Sequence, residues 1–233
     1  IVFNGEIYNF SLLQNELKSL GETFNSNSDT EILLKGYRVW GIEKLLKKIN
    51  GMFSFCIWDN SLRQLIIVRD PLGIKPLYFF NDEDTFICAS EVKSIINSRI
   101  VSNTLDVQSI DSFLAYGSIQ PPRTIYADVE SLIPGHIIRY TLESNNINIK
   151  RYWSWSNDDF EADIDDISDS FEKSIKRNLV SDVPLGILLS GGYDSTAMAF
   201  LASKYSKQEV NSYTLAFSDN KSYSENINAK KIA

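Results

Sequence analysis

One segment of this sequence joins an apolar run to a helix start through two adjacent glycines. Residues 185–189 are typical of a buried strand, and residues 190–195 follow with the sequence Ser-Gly-Gly-Tyr-Asp-Ser. Glycine lets the backbone approach a ligand closely, and the free N–H groups of a helix N-terminus point towards an anion. Asp194 adds a carboxylate that suits a phosphate-bound Mg²⁺. The segment therefore indicates nucleotide chemistry; a plain strand-to-helix turn capped by Ser195 is the alternative.

A second set of candidate groups lies at the start of the chain. Asn4 and Gly5 directly follow a short apolar strand at 1–3, and Asn-Gly is a common turn signal. An Asn amide beside a Gly N–H also supplies the donors that an oxyanion hole needs during acyl transfer from an amide. Asp29 lies at a helix start, where either it or Thr30 serves as the N-cap, or its carboxylate holds a substrate ammonium group. Each feature by itself leaves both interpretations open.

The elements that must position these residues change in kind along the chain. Up to residue 155 the pattern predicts antiparallel hairpins and a few helices, whereas strands and helices alternate after it, which favours a parallel sheet. Ligands bind outside the carboxyl ends of such strands, so Leu215 and Phe217, which end the next predicted strand, would line an adenine pocket or else serve as core. We expect a first domain at 1–156, an acidic linker at 157–166 and a second domain at 167–233. The predicted elements of the second domain are helix 167–179, strand 185–189, helix 195–204, strand 210–217 and a helix from 224.

Composition and net charge exclude some classes of function. The chain has 233 residues, 43% of them apolar, and a formal net charge of −7. An acidic chain with no dense basic run argues against nucleic acid as a partner. No apolar run has transmembrane length and no signal peptide is evident, so we expect no membrane association and a cytoplasmic location. Cys56 and Cys88 lie in apolar strand-like runs and are expected to be buried free thiols.

A series of motifs in the chain resembles the glutamine-hydrolysing asparagine synthetases. The motifs include Asn-Gly-Glu-Ile-Tyr-Asn, Ser-Asp-Thr-Glu, Gly-Met-Phe-Ser-Phe, Ala-Ser-Glu-Val-Lys and the long run that ends in Ser-Gly-Gly-Tyr-Asp-Ser. Two further motifs of the series are Arg-Asp-Pro-Leu-Gly-Ile-Lys-Pro-Leu-Tyr and Pro-Gly-His. In chain order, the seven motifs occupy residues 4–9, 28–31, 51–55, 69–78, 89–93, 134–136 and 181–195. Because the chain begins with Ile1 and both ends cut through predicted elements, we interpret it as a fragment that lacks both termini.

The resemblance implies a fold and an activity. The fold would be an α+β N-terminal-nucleophile αββα sandwich, the class II glutaminase domain. The start of an α/β adenine-nucleotide-hydrolase-like parallel-sheet domain, the asparagine synthase domain, would follow it. The implied ligase amidates aspartate to asparagine with ammonia from glutamine, through β-aspartyl-AMP, and releases AMP and pyrophosphate. The alternatives are a related amidotransferase acting on another carboxylate, such as a sugar or cell-surface precursor, and a non-catalytic homologue.

The resemblance also implies roles for individual residues. Asn4 and Gly5 would form the oxyanion hole, and together with Glu6 and Asp29 they would hold glutamine. Asp194 is the candidate ligand for Mg²⁺, and a homodimer is one assembly compatible with the resemblance. The residues implied in ATP binding are Leu188, Ser190, Gly191, Gly192, Asp194, Ser195 and Leu215.

Several positions depart from the implied pattern or carry no chemistry. The nucleophile of the family is a cysteine at the mature N-terminus, whose own α-amino group serves as the base. Cys56 and Cys88 do not replace it, because both lie in buried strands. Tyr193 stands where leucine is usual, and its phenol would narrow the mouth of the phosphate loop. His136, in a predicted turn, is assigned no catalysis. The Arg69–Asp70 pair, with Lys75, is expected to be scaffold, held by an ion pair at a hairpin end.

The first prediction follows from the absent nucleophile. We expect the purified 233-residue chain to be inactive as a glutaminase, because it contains no N-terminal cysteine. An assay of glutamate and ammonia release from glutamine checks this, and measurable hydrolysis by the purified chain would contradict it.

Overall fold

The computed structural model describes residues 1–156, 163–181, 183–206, 208–216 and 226–233. The chain divides into two compact units, Ile1–Ser156 and Asn157–Ala233. Within the described ranges, no helix is both long and apolar enough to cross a membrane.

The first unit contains two antiparallel sheets and five helices in its described residues. The larger sheet has the strand order β1-β2-β3-β7-β8, and the smaller has the order β5-β4-β6. The predicted hairpins are confirmed, while α3 and the two-residue β6 were not predicted. The elements are β1 (Val2–Ile7), α1 (Phe10–Ser19), α2 (Asp29–Trp40), α3 (Ile42–Lys48), β2 (Gly51–Asp59), β3 (Gln64–Arg69), β4 (Tyr78–Asn81), β5 (Phe86–Ala89), α4 (Val92–Asn97), α5 (Val107–Tyr116), β6 (Glu130–Ser131), β7 (His136–Thr141) and β8 (Asn146–Arg151).

Strand alternation divides the apolar side chains of this unit among three cores. One face of the large sheet carries Phe53, Phe55 and Ile57 and packs against Leu17 and Leu33 of helices α1 and α2. Successive side chains of a strand point to opposite faces, so the same sheet presents a second apolar face to the smaller sheet. The helices therefore cover one side of the large sheet and the small sheet covers the other.

The other two cores complete the layers. Ile67 and Ile138 of the large sheet pack against Leu77 and Phe79 of the small sheet region. The outer face of the small sheet is covered by α4, whose Ile95 is fully buried. The order of layers is therefore helix, sheet, sheet, helix, and the expected αββα sandwich is confirmed.

Three local predictions in this unit were wrong. Asn4 and Gly5 do not form a turn, because β1 continues to Ile7 and pairs antiparallel with β2 throughout. The N-cap of α2 is Ser28, whose side chain accepts a hydrogen bond from the Thr30 N–H, so neither Asp29 nor Thr30 has that role. His136 opens strand β7, where it pairs with Arg151, instead of lying in a turn.

The second unit contains a short parallel sheet among helices. β9 (Gly186–Leu188) and β10 (Asn211–Tyr213) pair in parallel, as predicted. The helices are α6 (Ile164–Asn178), α7 (Tyr193–Tyr205) and α8 (Asn226–Ile232).

Two helices of this unit begin earlier than predicted. α6 begins at Ile164, inside the segment interpreted as a linker, because Asp163 and Asp166 form a capping box. α7 begins at Tyr193 with Gly192 as its N-cap, so Ser195 is not the cap. Residues 157–162 of the predicted linker and Phe217 lie outside the described residues.

A buried carboxylate orders the loop that follows β3. Asp70 is 1% exposed, and its two oxygens accept backbone N–H groups from Leu72, Ile74 and Lys75 at 2.9–3.0 Å. Arg69 is also half-buried and donates to the carbonyl oxygens of Lys75, Gly73 and Leu132, and burial lowers the pKa of its guanidinium. The pair is scaffold, as predicted, although each side chain binds backbone instead of forming the expected ion pair.

The second prediction concerns this loop. In Asp70→Asn, the amide oxygen replaces one carboxylate oxygen, and the NH₂ group then faces a backbone N–H that has lost its acceptor. We expect the free energy of unfolding to fall by about 2 kcal/mol in urea denaturation. The control Asp111→Asn changes an exposed residue and is expected to stay within about 0.5 kcal/mol of the parent. Equal stability of the two variants would contradict the assigned role of Asp70.

Candidate functional site

Three candidate residues lie next to one another on β1. This strand is the edge of the large sheet in the described part of the chain, and it carries Asn4, Gly5 and Glu6 in succession. Phe3 and Ile7 pack with the helix-side core, so the alternate side chains, Asn4 and Glu6, point to the face of the small sheet. The strand therefore presents the amide and the carboxylate side by side on one face.

The N–H group of Gly5 points away from β2. Tyr8 donates its N–H to the Asn50 carbonyl, and Ile7 donates in the other direction, to Asp29 Oδ2 at 3.2 Å. Backbone N–H groups two residues apart point to the same side of a strand, so the Gly5 N–H points to the open edge, as the Ile7 N–H does. Gly5 therefore presents a backbone donor along the edge next to Asn4.

Glycine is required at position 5 by the closeness of β2. A Cβ atom built there would overlap the carbonyl oxygen of Met52 and lie 2.8 Å from the Cα of Phe53. Narrow pairs of an antiparallel ladder bring the two backbones closest, and Gly5 with Phe53 forms such a pair. The residue that exposes its N–H is thus also the one that lets the strands approach.

Asp29 comes to the same strand from the helix layer. It lies in the first turn of α2, and its hydrogen bond to Ile7 places the carboxylate one residue beyond Glu6. The structure therefore brings Asp29 to the same strand end as Asn4, Gly5 and Glu6, although Asp29 lies 25 residues after Asn4 in the sequence. Two carboxylates at the end of one strand suit a positively charged group such as a substrate ammonium.

The electrostatics near this strand end agree with that interpretation. Burial raises the pKa of the partly buried Tyr8 phenol, and the negative charges of Glu6 and Asp70 raise it further. The part of this shift that comes from Glu6 and Asp70 reflects a negative contribution of their carboxylates to the local potential. Such a potential favours binding of a cation at this end of β1.

The two cysteines face each other between the sheets. Both are free and partly buried, and Cys56 of β2 and Cys88 of β5 pack on the core between the two sheets. A hydrogen bond with Cys88 and burial raise the pKa of Cys56 far above its usual value. Because a thiol held neutral is a poor nucleophile, Cys56 is unsuited to covalent catalysis.

Hydrogen bonds of its own serines hold the glycine loop of the second unit, residues 190–195, in shape. The hydroxyls of Ser190 and Ser195 lie 2.9 Å apart, and Ser190 accepts a hydrogen bond from the Gly192 N–H at 3.3 Å. Thr196 binds the Gly192 carbonyl through its hydroxyl at 2.7 Å, which fixes the first turn of α7. The loop ends at a helix N-terminus, where first-turn N–H groups have no partner within the helix, so its geometry suits a phosphate group.

Gly191 is the position of this loop at which a side chain would be strained. Its φ of +86° lies in the left-handed region, and a Cβ atom there would come within 2.6 Å of the Asn228 Cβ in α8. Gly192, by contrast, has φ of −76°, and among the described residues its Cβ would meet only the Ser190 hydroxyl, at 3.5 Å. Position 191 therefore requires glycine, whereas position 192 accepts a residue with a Cβ atom.

The remaining ATP-site candidates surround the loop. Leu188 ends β9 and Leu215 follows β10, and both are exposed, as is the side chain of Tyr193. Thr214 donates to the Leu189 carbonyl at 2.7 Å, which holds the segment of Leu215 against the start of the loop. Leu188 and Leu215 thus remain available for a ligand on the same strand ends, while Phe217 is not described.

A metal ion would have few protein ligands at this loop. Asp194 is an exposed carboxylate in the first turn of α7, and the described ranges contain no group of three or more His, Cys, Asp or Glu suited to a metal. Mg²⁺ commonly binds through one or two carboxylates, substrate phosphates and water. Asp194 fits that mode and would be its protein ligand.

Two family models match successive parts of the chain. The model of the glutamine amidotransferase domain matches residues 1–153, and the asparagine synthase model matches residues 166–233. The chain belongs to the glutamine-hydrolysing asparagine synthetase family. The amidotransferase match contains the β1 residues and Asp29, and the synthase match contains residues 190–195.

Individual relatives support the same assignment. The chain is 32% identical over 232 residues to asparagine synthetase [glutamine-hydrolyzing] 3 of Bacillus subtilis, covering 96% of this chain and 37% of the relative. Asparagine synthetase [glutamine-hydrolyzing] 1 of the same organism is 33% identical over the whole chain and 37% of its own length. The chain therefore spans little more than a third of these relatives.

A solved structure gives a weaker match. The glutamine phosphoribosylpyrophosphate amidotransferase of B. subtilis, complexed with ADP and GMP, is 19% identical with a TM-score of 0.45, covering 91% of this chain and 44% of that one.

Sequence reasoning missed two residues that interact with the β1 site. Ser90 accepts a hydrogen bond from Asn4 Nδ2 at 3.2 Å, and the charge of Glu6 acts on the Tyr8 phenol. Tyr8 is in the same motif as Asn4, so its proximity was open to inference. Ser90 is 86 residues away, and its place in the Ala-Ser-Glu-Val-Lys motif was the available signal.

The third prediction separates the two loop glycines. Gly191→Ala must place a side chain at positive φ and against α8, and we expect it to lower the free energy of unfolding by about 2 kcal/mol or more. Gly192→Ala, at an ordinary φ, is expected to cost less than about 1 kcal/mol, from a poorer N-cap. Urea denaturation of the two variants measures the difference, and a larger loss in Gly192→Ala would refute the assignment.

Proposed function

We propose that the protein to which this chain belongs makes asparagine from aspartate, using ATP and ammonia released from glutamine. The observation that carries the proposal is the presence, in one chain of this family, of an amide–glycine–carboxylate site on β1 and a phosphate-type loop at 190–195. A glutaminase alone has no use for the second site. Because the chain spans 37% of its relatives, the activity is proposed for the whole protein.

The β1 site would perform the glutaminase step. The side-chain amide of Asn4 and the backbone N–H of Gly5 would donate to the oxygen of the glutamine γ-carboxamide as it gains negative charge during thiolate attack. Glu6 and Asp29 would hold the substrate ammonium group. The thiolate itself would come from an N-terminal cysteine outside these 233 residues, as the resemblance implies.

The loop of the second unit would bind ATP. First-turn N–H groups of α7 and the hydroxyls of Ser190 and Ser195 would contact the phosphates, and Leu188 and Leu215 would contact the adenosine. Mg²⁺, held by Asp194, would neutralise phosphate charge. A carboxylate is a poor acceptor for ammonia, so activation of aspartate as β-aspartyl-AMP, with release of pyrophosphate, provides AMP as a leaving group.

The fourth prediction separates the two half-reactions. In the full-length protein, Asp29→Asn removes a charged partner of the glutamine ammonium, and we expect the KM for glutamine to rise about 10- to 100-fold. Synthesis with ammonia in place of glutamine should be unchanged. Ser195→Ala should instead raise the KM for ATP about tenfold with either nitrogen source. The measurement is pyrophosphate release with each nitrogen source.

A control and an acceptor screen complete the test. Asp111→Asn, at an exposed position in α5, should leave both activities at the parent level. Equal losses of glutamine- and ammonia-dependent activity in Asp29→Asn would contradict the role of Asp29. Pyrophosphate release with another acid, but none with aspartate, would show that the enzyme is an amidotransferase for a different carboxylate.

A further inference from the structure

We propose that Ser90 is a positioning residue for the oxyanion hole, holding the amide of Asn4 in the orientation that glutamine hydrolysis requires. This inference rests on the proposed function. It assigns a role to a residue of the small sheet region in the chemistry of the β1 edge of the large sheet.

The contact joins two separate layers of the first unit. Asn4 lies on the edge strand of the large sheet with its side chain towards the small sheet, and Ser90 directly follows β5 of the small sheet. Asn4 Nδ2 donates to Ser90 Oγ at 3.2 Å. An Asn amide carries two N–H donors, so one remains for the oxyanion when the other is bound to Ser90.

Ser90 is itself held on both sides. Ala89 before it is paired with Tyr78 in the small sheet, and Glu91 after it is the N-cap residue of α4. Ile95, which anchors α4, is fully buried. The serine hydroxyl is therefore presented from a fixed point, which is what a group that orients another side chain needs.

The torsion that Ser90 restrains is a soft one. The terminal χ2 of asparagine has a broad distribution, so an amide without a partner samples many orientations. An oxyanion donor stabilises the transition state most when it is already oriented. Removing a donor of this kind commonly lowers kcat about 10²- to 10³-fold, and we expect loss of its orientation alone to lower kcat about tenfold.

The experiment uses the full-length protein and three variants. Ser90→Ala removes the hydroxyl, Ser90→Thr retains it, and Ser94→Ala is the matched control, because Ser94 is exposed on α4 four residues along. Steady-state glutaminase assays give kcat and KM for glutamine, and ammonia-dependent asparagine synthesis reports the integrity of the rest of the enzyme. Affinity for a glutamine-derived aldehyde, which forms a tetrahedral adduct with a thiol, probes the oxyanion hole directly.

The expected pattern is specific to positioning. Ser90→Ala should show about tenfold lower kcat, an equal loss of aldehyde affinity, a KM within twofold of the parent and unchanged ammonia-dependent synthesis. Ser90→Thr should recover most of the kcat, and Ser94→Ala should match the parent. Unchanged kcat in Ser90→Ala, or parallel loss of glutaminase and ammonia-dependent synthesis, would overturn the inference. A parent enzyme that does not hydrolyse glutamine would refute the proposed function itself.

Discussion

The close approach of β1 and β2 is the constraint on which the first site depends. Both strands carry a glycine at a narrow pair: Gly5 opposite Phe53, and Gly51 opposite Ile7. A Cβ atom at Gly5 would overlap the Met52 carbonyl oxygen, and one at Gly51 would overlap that of Glu6. Any larger residue at either position would push the edge strand away from β2. The two glycines therefore set the position of Asn4 and Glu6 relative to the rest of the large sheet.

Much of this fold is predictable because its signals are local. Alternation of apolar residues identifies β2 and β3, and the three cores follow from which alternate positions are apolar. The Asn4–Gly5 pair was misinterpreted because Asn-Gly favours turns locally, whereas pairing with β2 along six residues overrides that preference. Similarly, the start of α6 at Ile164 was not predicted, because the acidic stretch around it was interpreted as a linker. Asp163 and Asp166 in that stretch are capping residues of the helix.

The site was less predictable than the fold, for a physical reason. Motifs identify residues that are neighbours in sequence, such as Asn4 with Gly5 or Ser190 with Ser195. The partners that fix those residues come from other layers: Asp29 from the helices and Ser90 from the small sheet. No periodicity encodes a contact across 86 residues, so these contacts required the structure.

The two candidate sites are suited to opposite charges by different means, which the net charge of −7 helps to explain. An acidic protein has no general positive field to attract phosphates, so a loop such as 190–195 must rely on backbone N–H groups aimed from a helix end. The β1 site would instead use carboxylates, and the charge of one of them, Glu6, adds to the burial that raises the pKa of Tyr8. Each unit would thus bind its charged group through a few precisely placed donors or acceptors. The glycines at 5 and 191 matter in the same way, because each lets backbone lie where a side chain would prevent it.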